Sequence, residues 1–164
     1  MIIILMGVSG SGKTLVGQRL ETVLGWTFYD ADNFHPATNI AKMQQGIPLD
    51  DVDRAPWLSI LNQEITQWLQ TGHNAVLACS ALKSRYREQL YLSHPQVKLI
   101  YLHGSQSLIL QRLQQRRGHF MGSDLLQSQF DSLEEPTEGV RIEIDQGLDA
   151  IATQILTRLN LKSI

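Results

Sequence analysis

The sequence predicts an α/β fold in which helices cover a mostly parallel β-sheet. Apolar runs of strand length alternate with stretches whose apolar residues recur at helical spacing. The first run, Ile2–Met6, is continuously apolar, as is typical of a strand buried on both faces of a parallel sheet. A glycine-rich string follows this run and leads into a helical pattern, which is the strand–loop–helix order of such folds.

The elements of the first half are predicted from apolar spacing and from the positions of glycine and proline. Residues Leu15–Leu24 carry apolar side chains at helical spacing, and Gly25 is suited to end that helix. The run Trp26–Tyr29 is predicted to be the second strand. A long amphipathic helix is predicted after Pro56, because proline lacks only an N–H that the first helical turn would leave unpaired, and it ends at Gly72.

The second half repeats the alternation. The apolar runs Ala75–Ser80 and Val97–His103 are predicted to be buried strands. A helix is predicted over Leu108–Arg117, a last strand over Val140–Asp145, and a closing helix over Leu148–Leu159.

Two polar, interrupted excursions, 33–55 and 116–138, do not fit this alternation of strands and helices. Because ligands bind beyond the carboxyl ends of the strands in such folds, these excursions are predicted to be a substrate cover and a lid.

Composition excludes several classes of protein. The 164 residues are 43% apolar and 18% charged, which suits one globular domain spanning 1–164. A net charge of −2 argues against a general nucleic-acid binder. No run approaches the ~20 apolar residues of a membrane span, and the apolar start is too short for a signal peptide. The single cysteine, Cys79, cannot form an internal disulfide, so a soluble protein of the reducing cytoplasm is expected.

The glycine-rich string predicts a nucleoside triphosphate site. It matches G-x-x-x-x-G-K-[ST] and stands between a predicted strand and a predicted helix. Its glycines allow backbone N–H groups to surround phosphate oxygens, its lysine can reach the β- and γ-phosphates, and its threonine can ligate Mg²⁺. The nucleotide-binding residues are therefore Gly7, Val8, Ser9, Gly10, Ser11, Gly12, Lys13 and Thr14. A nucleoside triphosphate and Mg²⁺ are therefore the expected ligands of this loop.

Three functional classes use such a loop: small-molecule kinases, GTP-dependent switches and non-catalytic nucleotide-binding modules. A switch needs an N-K-x-D string to read guanine and a D-x-x-G after a strand, and neither string occurs. A kinase needs a second pocket for an acceptor alcohol and a basic lid, and the two polar excursions offer both.

Two carboxylates follow the second strand and are predicted to serve the acceptor. Asp30 and Asp32 are two residues apart, so in an extended chain they point to the same side. A carboxylate facing the phosphate loop can orient a hydroxyl and accept its proton, and we assign this catalytic role to Asp32. Asp30 is predicted to act on the metal through water. The alternative is that both carboxylates cap the next segment or lie in solvent.

Six further strings, in order and at matching spacing, resemble the gluconokinase family. They are Asp30–Pro36, Asn39–Met43, Gly46–Leu58, Cys79–Arg87, Gly118–Met121 and Gln127–Pro136. The resemblance runs from the phosphate loop to about Asp145. Ala31 stands where many members of the family have glycine.

The resemblance implies ATP-dependent phosphorylation of the C6 hydroxyl of D-gluconate to 6-phosphogluconate. It also implies a three-layer P-loop fold with a five-stranded parallel sheet, like that of shikimate and nucleotide kinases, and a homodimer. The fold alone leaves shikimate or a nucleotide open as the acceptor, and a non-catalytic ATP-binding module is the non-enzyme alternative.

A sugar acid needs hydrogen-bonding groups and cations around it, and the substrate-binding residues are predicted accordingly. They are Asp32, His35, Arg54, Lys83, Arg87 and His119, of which His119 belongs either to the pocket wall or to the lid. On the nucleotide side, Arg112 and Arg116 share a helix face. The resemblance to nucleotide kinases, where arginines at this spacing lie near the base and reach phosphate, implies the same two roles here. Arg116 would then be catalytic, as an arginine in cis, although Arg117 can serve instead.

Overall fold

A computed structural model describes residues 1–90, 93–115 and 123–164, except for the side chains of 123–125. Within those residues the strands are β1 (Ile2–Met6), β2 (Thr27–Asp30), β3 (Ala75–Ala78), β4 (Val97–His103) and β5 (Val140–Glu143). The α-helices are α1 (Lys13–Leu24), α2 (Ala37–Gln44), α3 (Asp51–Thr71), α4 (Ser84–Gln89), α5 (Gln106–Gln115), α6 (Ser123–Ser132) and α7 (Leu148–Leu159). A 3₁₀ turn, Ala31–Phe34, directly follows β2.

The strands form one parallel sheet in the order β2-β3-β1-β4-β5. β1 is central, and Ile4 lies opposite Leu77 of β3 on one side and Leu99 of β4 on the other. The chain builds the sheet on one side of β1 and then on the other. Ligands bind at such a reversal point, so the carboxyl end of β1 is the expected site.

Alternate residues of the strands belong to two apolar layers, one on each face of the sheet. Ile2 and Ile4 pack with α3 and α4, whereas Ile3 and Leu5 pack with α1, α5 and α7. All four side chains are completely buried, as the period of two in a strand requires when both faces are covered. The predicted fold class, a five-stranded parallel sheet between helical layers, is confirmed.

A glycine within α1 sets the distance between that helix and β2. An ideal Cβ on Gly17 would lie 2.2 Å from Cε2 of Phe28, so any larger side chain would displace the ring. The phenylalanine therefore packs directly on the helix backbone. This close approach positions the end of β2, and the carboxylates that follow it, relative to the loop that begins α1.

The prediction that the long helix begins at Pro56 is wrong, because α3 begins at Asp51. Asp50 caps the helix: its Oδ1 accepts from the Asp53 N–H at 2.8 Å, and the Asp53 carboxylate accepts from the Asp50 N–H at 3.2 Å. This reciprocal capping box supplies partners for N–H groups that a helix start leaves unpaired. Pro56 thus lies inside the helix, beyond its first turn.

Both polar excursions contain helices that the pattern did not predict. α2 and the start of α3 lie within 33–55, and α6 lies within 116–138. Among the described residues, no helix is both long enough and apolar enough to cross a membrane.

Candidate active site

Residues 7–12 form a tight loop between β1 and α1. The Ser11 N–H donates to the carbonyl oxygen of Val8 at 3.2 Å, which turns the chain back towards the helix start. Gly10 has a φ of +83°, and a Cβ there would lie 2.9 Å from Cγ of Leu113. Glycine is required at this position for both reasons. The loop leads into the N-terminus of α1, where unpaired backbone N–H groups favour an anion.

The side chain of Lys13 lies along this loop. Its Nζ donates to the carbonyl oxygens of Gly7 at 2.8 Å and Val8 at 3.1 Å. The ammonium group is thereby held over the loop backbone. Thr14 is the next residue of α1, and its side chain is exposed. The loop thus combines a fixed cation, a hydroxyl and a helix N-terminus, which are the groups that phosphate and a bound cation need.

A cavity of about 310 Å³ adjoins the loop on the side of α5 and α7. Leu15 and Leu148 line it with partly exposed apolar side chains, 52% and 38% accessible to solvent. Arg112 also lines the cavity, and its guanidinium donates to the carbonyl oxygen of Ile144. Apolar walls beside an arginine suit the flat faces of a nucleobase.

The two predicted carboxylates lie at the end of β2. The Asp30 side chain caps the 3₁₀ turn, since its Oδ1 accepts from the Asp32 N–H at 3.1 Å. The Asp32 side chain is 82% exposed, although protein atoms lie close around its carboxylate. The partial loss of hydration there, with the negative charge of Asp30, raises the pKa of Asp32, while His35 and Lys13 act in the opposite direction.

His35 lies beside Asp32, with 3.9 Å between Nε2 and the Asp32 Oδ1. Only 5% of its side chain is exposed. The imidazole stacks on Trp57 with 4.5 Å between ring centroids and 14° between planes. Burial lowers the pKa of His35, so the imidazole is neutral near pH 7.

Cations surround the ring of Tyr86 at the start of α4. The Cζ atoms of Arg54 and Arg85 lie 5.9 Å and 5.4 Å from the ring centroid, and the Nζ of Lys83 lies 5.6 Å from it. One carboxylate, Asp51, joins them, accepting from Lys83 at 3.3 Å and from Arg85 and the Tyr86 hydroxyl. These three donors, the tyrosine hydroxyl first, lower the pKa of Asp51 to about 2. Because three cations face one carboxylate, the Tyr86 cluster keeps an excess positive charge that suits an anion.

Arg87 lies apart from the Tyr86 cluster, although the sequence predicts that it binds substrate. Only 3% of its side chain is exposed. Its Nε donates to Glu138 Oε1 at 3.0 Å, and its Nη1 donates to the carbonyl oxygens of Ala81, Leu82 and Glu134 at 3.1, 3.2 and 3.0 Å. These contacts join the segment before α4 to the segment after α6. They favour a structural role for Arg87.

We expect Arg87→Ala to lower the free energy of unfolding by about 1–3 kcal/mol, because it leaves three backbone carbonyl groups without their donor, whereas the Glu138 carboxylate is 45% exposed and can bind water instead. Urea denaturation followed by circular dichroism measures this change. The matched control is Arg85→Ala, whose side chain is 53% exposed and which should unfold close to the wild-type midpoint. Wild-type stability of Arg87→Ala, together with a raised KM for the acceptor, would instead support substrate binding.

A residue of α6 also contacts the phosphate loop. The Ser9 N–H donates to Oε1 of Gln129, on α6, at 2.5 Å. Nothing in the sequence pattern assigned a role to Gln129, although it belongs to one of the strings that carry the family resemblance. The Gln129 amide oxygen therefore occupies the position at the Ser9 N–H that a phosphate oxygen would take in a loop of this kind.

Comparisons with known proteins decide the family. The profile of a family described as an AAA domain matches residues 2–138. The thermosensitive gluconokinase of Escherichia coli (strain K12) is 45% identical over 155 residues, covering 92% of this chain and 83% of that protein. The chain belongs to the gluconokinase family. The crystal structure of a gluconokinase from Sinorhizobium meliloti 1021 is 41% identical and superposes with a TM-score of 0.85, covering 96% of this chain and 90% of the other.

The fold of the gluconokinase family extends to more distant kinases. Shikimate kinase from Aquifex aeolicus VF5 is 15% identical and superposes with a TM-score of 0.57 over 98% of this chain and 96% of that one. This likeness concerns the fold alone. It agrees with the predicted resemblance to shikimate kinases, and the predicted membership of the gluconokinase family is confirmed by the closer relatives.

Three of the predicted site residues, or their stated alternatives, lie outside the described residues. They are Arg116, Arg117 and His119. Of the other predicted substrate residues, the structure brings Asp32 beside His35 and places Arg54 and Lys83 around Tyr86. Arg85 joins the latter two cations, and it was not predicted. Its signal in the sequence is its position between Lys83 and Arg87 in a basic string.

Proposed function

We propose that this member of the gluconokinase family transfers the γ-phosphoryl group of ATP to the C6 hydroxyl of D-gluconate, giving ADP and 6-phosphogluconate. The observation that carries the proposal is the position of Asp32. The Asp32 carboxylate lies close enough to Lys13 for the lysine ammonium to act on the pKa of Asp32 by lowering it. It also borders His35, and the charge of Arg54 in turn lowers the pKa of that histidine. A carboxylate between a phosphate loop and a cationic pocket is what transfer to a sugar acid needs.

On the nucleotide side, loop N–H groups bind the phosphates and the cavity beside α5 and α7 holds the base. Lys13 would exchange its bonds to loop carbonyls for bonds to the β- and γ-phosphate oxygens. Arg112, which lines the cavity, would lie near the base. Arg116 remains our predicted second cation at the transferring group.

Hard oxygen donors near the loop fit a magnesium ion. The Thr14 hydroxyl is exposed at the start of α1, and the Asp30 carboxylate is only partly buried. Among the described residues, no three His, Cys, Asp or Glu side chains are grouped to hold a metal ion. Mg²⁺ commonly takes one or two protein oxygens, with phosphates and waters completing its shell. We propose that Thr14 binds it directly and Asp30 through water. The ion would neutralise charge on the β- and γ-phosphates.

In the transfer step, the C6 oxygen of gluconate forms a bond to the γ-phosphorus. The bond from that phosphorus to the bridging oxygen of ADP breaks, and ADP leaves with the electron pair. The proton of the C6 hydroxyl moves to the Asp32 carboxylate, which then releases it to solvent. Lys13 neutralises the charge that accumulates on the phosphate oxygens.

The carboxylate of gluconate would bind at the Tyr86 cluster. Arg54 and Lys83 were predicted for this purpose, and Arg85 adds a third cation. Asp51 neutralises only part of this charge. The predicted homodimer and the predicted cytoplasmic location stay predictions.

We expect glucose, which lacks the carboxylate, to be phosphorylated with a kcat/KM about 10⁴-fold lower than gluconate, because cations built to bind an anion would be left unpaired. ADP release measured across gluconate, glucose, shikimate and nucleoside monophosphates tests this. The variant Lys83→Met should raise KM for gluconate and leave the rate with glucose unchanged. Equal efficiency with glucose and gluconate would contradict the anion pocket, and preference for shikimate or a nucleotide would contradict the acceptor.

A further inference from the structure

An asparagine on α2 contacts the predicted substrate histidine. Asn39 is only 2% exposed, and a buried amide needs hydrogen-bond partners. Its Nδ2 lies 2.8 Å from the carbonyl oxygen of Asp53 and 3.2 Å from Nδ1 of His35. The amide thus joins the start of α3 to the histidine that borders Asp32.

The first of these contacts determines which way the amide faces. A backbone carbonyl oxygen can only accept, so the atom that faces Asp53 must be the NH₂ group of Asn39. The same nitrogen faces His35, where it can only donate. Nδ1 of His35 must therefore carry its lone pair, and the ring proton lies on Nε2.

The surroundings hold the Asp53 carbonyl and the imidazole in place. Asp53 belongs to the capping box of α3, and its carboxylate pairs with Lys42 at 2.6 Å. The ring of His35 stacks on Trp57, whose indole N–H donates to the carbonyl oxygen of Ala31 at 2.8 Å. Neither the acceptor that orients the amide nor the ring can readily turn.

The protonated Nε2 faces the proposed catalytic base. It lies 3.9 Å from the Asp32 Oδ1, too far for a direct hydrogen bond. A hydroxyl oxygen about 2.8 Å from both atoms would fit between them, with an angle near 90° at that oxygen. Such a hydroxyl would accept from His35 and donate to Asp32, so its proton would point at the group that removes it.

We propose that Asn39 is a positioning residue that keeps His35 in the Nε2–H form, so that this N–H orients the acceptor hydroxyl towards Asp32. The proposal deepens the gluconate kinase reaction and rests on it for the identity of the hydroxyl. The charged groups that face His35 are Asp32 and Arg54. Imidazolium would place a second donor against the Asn39 amide, so the neutral ring is favoured.

Nitrogen NMR of protein carrying ¹⁵N-labelled histidine tests the tautomer without any substrate. In the wild type at pH 7, we expect the His35 signals of a bare Nδ1 and a protonated Nε2. In Asn39→Asp, the new carboxylate accepts from Nδ1, so Nδ1 should become protonated. A protonated Nδ1 in the wild type would overturn the proposal, and this measurement needs no variant to fold.

Kinetics test the consequence for catalysis. We expect Asn39→Ala to lower kcat by roughly 10- to 100-fold, as removal of groups that orient a histidine does, with KM for ATP unchanged. The matched control is Asn62→Ala, which removes an amide that donates to the Gln89 carbonyl oxygen at 2.6 Å. It should keep the wild-type kcat.

The two proposals fail in different ways. Unchanged kcat in folded Asn39→Ala, with gluconate phosphorylated normally, would overturn the positioning role alone. A wild-type protein that phosphorylates another acceptor and not gluconate would overturn the proposed function. The NMR signals would still report the tautomer in that case.

Discussion

Replacement of Lys13 by alanine is expected to leave a folded protein with no measurable phosphoryl transfer. The lysine ammonium lies over the loop, bonded to the carbonyl oxygens of Gly7 and Val8. The loop itself donates through backbone N–H groups, so the mutation removes its cation and keeps its shape. Since transfer concentrates negative charge on phosphate oxygens, loss of this charge acts on the transition state most strongly.

ADP release in the presence of gluconate measures this loss, and circular dichroism with thermal unfolding shows whether the variant is folded. Lys162→Ala, in the exposed tail after α7, is the matched control and should behave as the wild type. Near-wild-type turnover of folded Lys13→Ala would show that the loop does not bind the transferring phosphates as proposed.

For Asp32→Asn we expect kcat to fall by about 10²- to 10⁴-fold, the usual contribution of a general base. Asparagine keeps the size of the side chain but cannot take the hydroxyl proton. ATP affinity should be unchanged, because the phosphate loop is untouched. Asp149→Asn, which removes a surface partner of Arg19, is a control expected to retain full kcat.

The pH dependence of kcat/KM gives an independent test of the same residue. The base acts when deprotonated, so activity falls as the pH drops through its pKa. Because partial desolvation of the carboxylate and the charge of Asp30 raise that pKa, the fall should begin at a higher pH than for an aspartate without these neighbours. Asp30→Asn should mainly raise the Mg²⁺ requirement. If Asp32→Asn kept the full kcat and Asp30→Asn lost it, Asp30 would be the general base and Asp32 the residue that acts on the metal.

The sheet and the phosphate loop could be predicted because their signals are local. A wholly apolar run such as β1 is typical of a strand in the middle of a sheet, where both of its faces are buried. In the loop that follows, the spacing of glycine, lysine and threonine is specific to phosphate binding. The start of α3 was predicted wrongly because Pro56 was a conspicuous signal. The capping box of Asp50 and Asp53 is a weaker pattern, yet it determines where the helix begins.

The candidate site was predicted less completely because its residues meet only through the fold. Lys83 and Arg87 are one turn apart, and spacing alone made them equivalent. Burial separates them: Arg87 binds carbonyl groups from two segments, whereas Lys83 reaches the Tyr86 cluster. Likewise, Gln129 meets Ser9 across 120 residues of sequence, a contact that no local pattern encodes.

Cys79 has a consequence for chemical modification of this protein. It is the single cysteine of the chain, it is 1% exposed, and its N–H donates to the Leu5 carbonyl oxygen at 3.0 Å, beside the central strand. Burial raises the pKa of its thiol to about 12, so the native protein holds almost no reactive thiolate. An alkylating reagent can therefore react only with molecules whose sheet has opened at β3. The rate of alkylation therefore measures how often the sheet opens. A ligand that binds only the closed protein lowers this rate in proportion to the fraction of protein that carries the ligand.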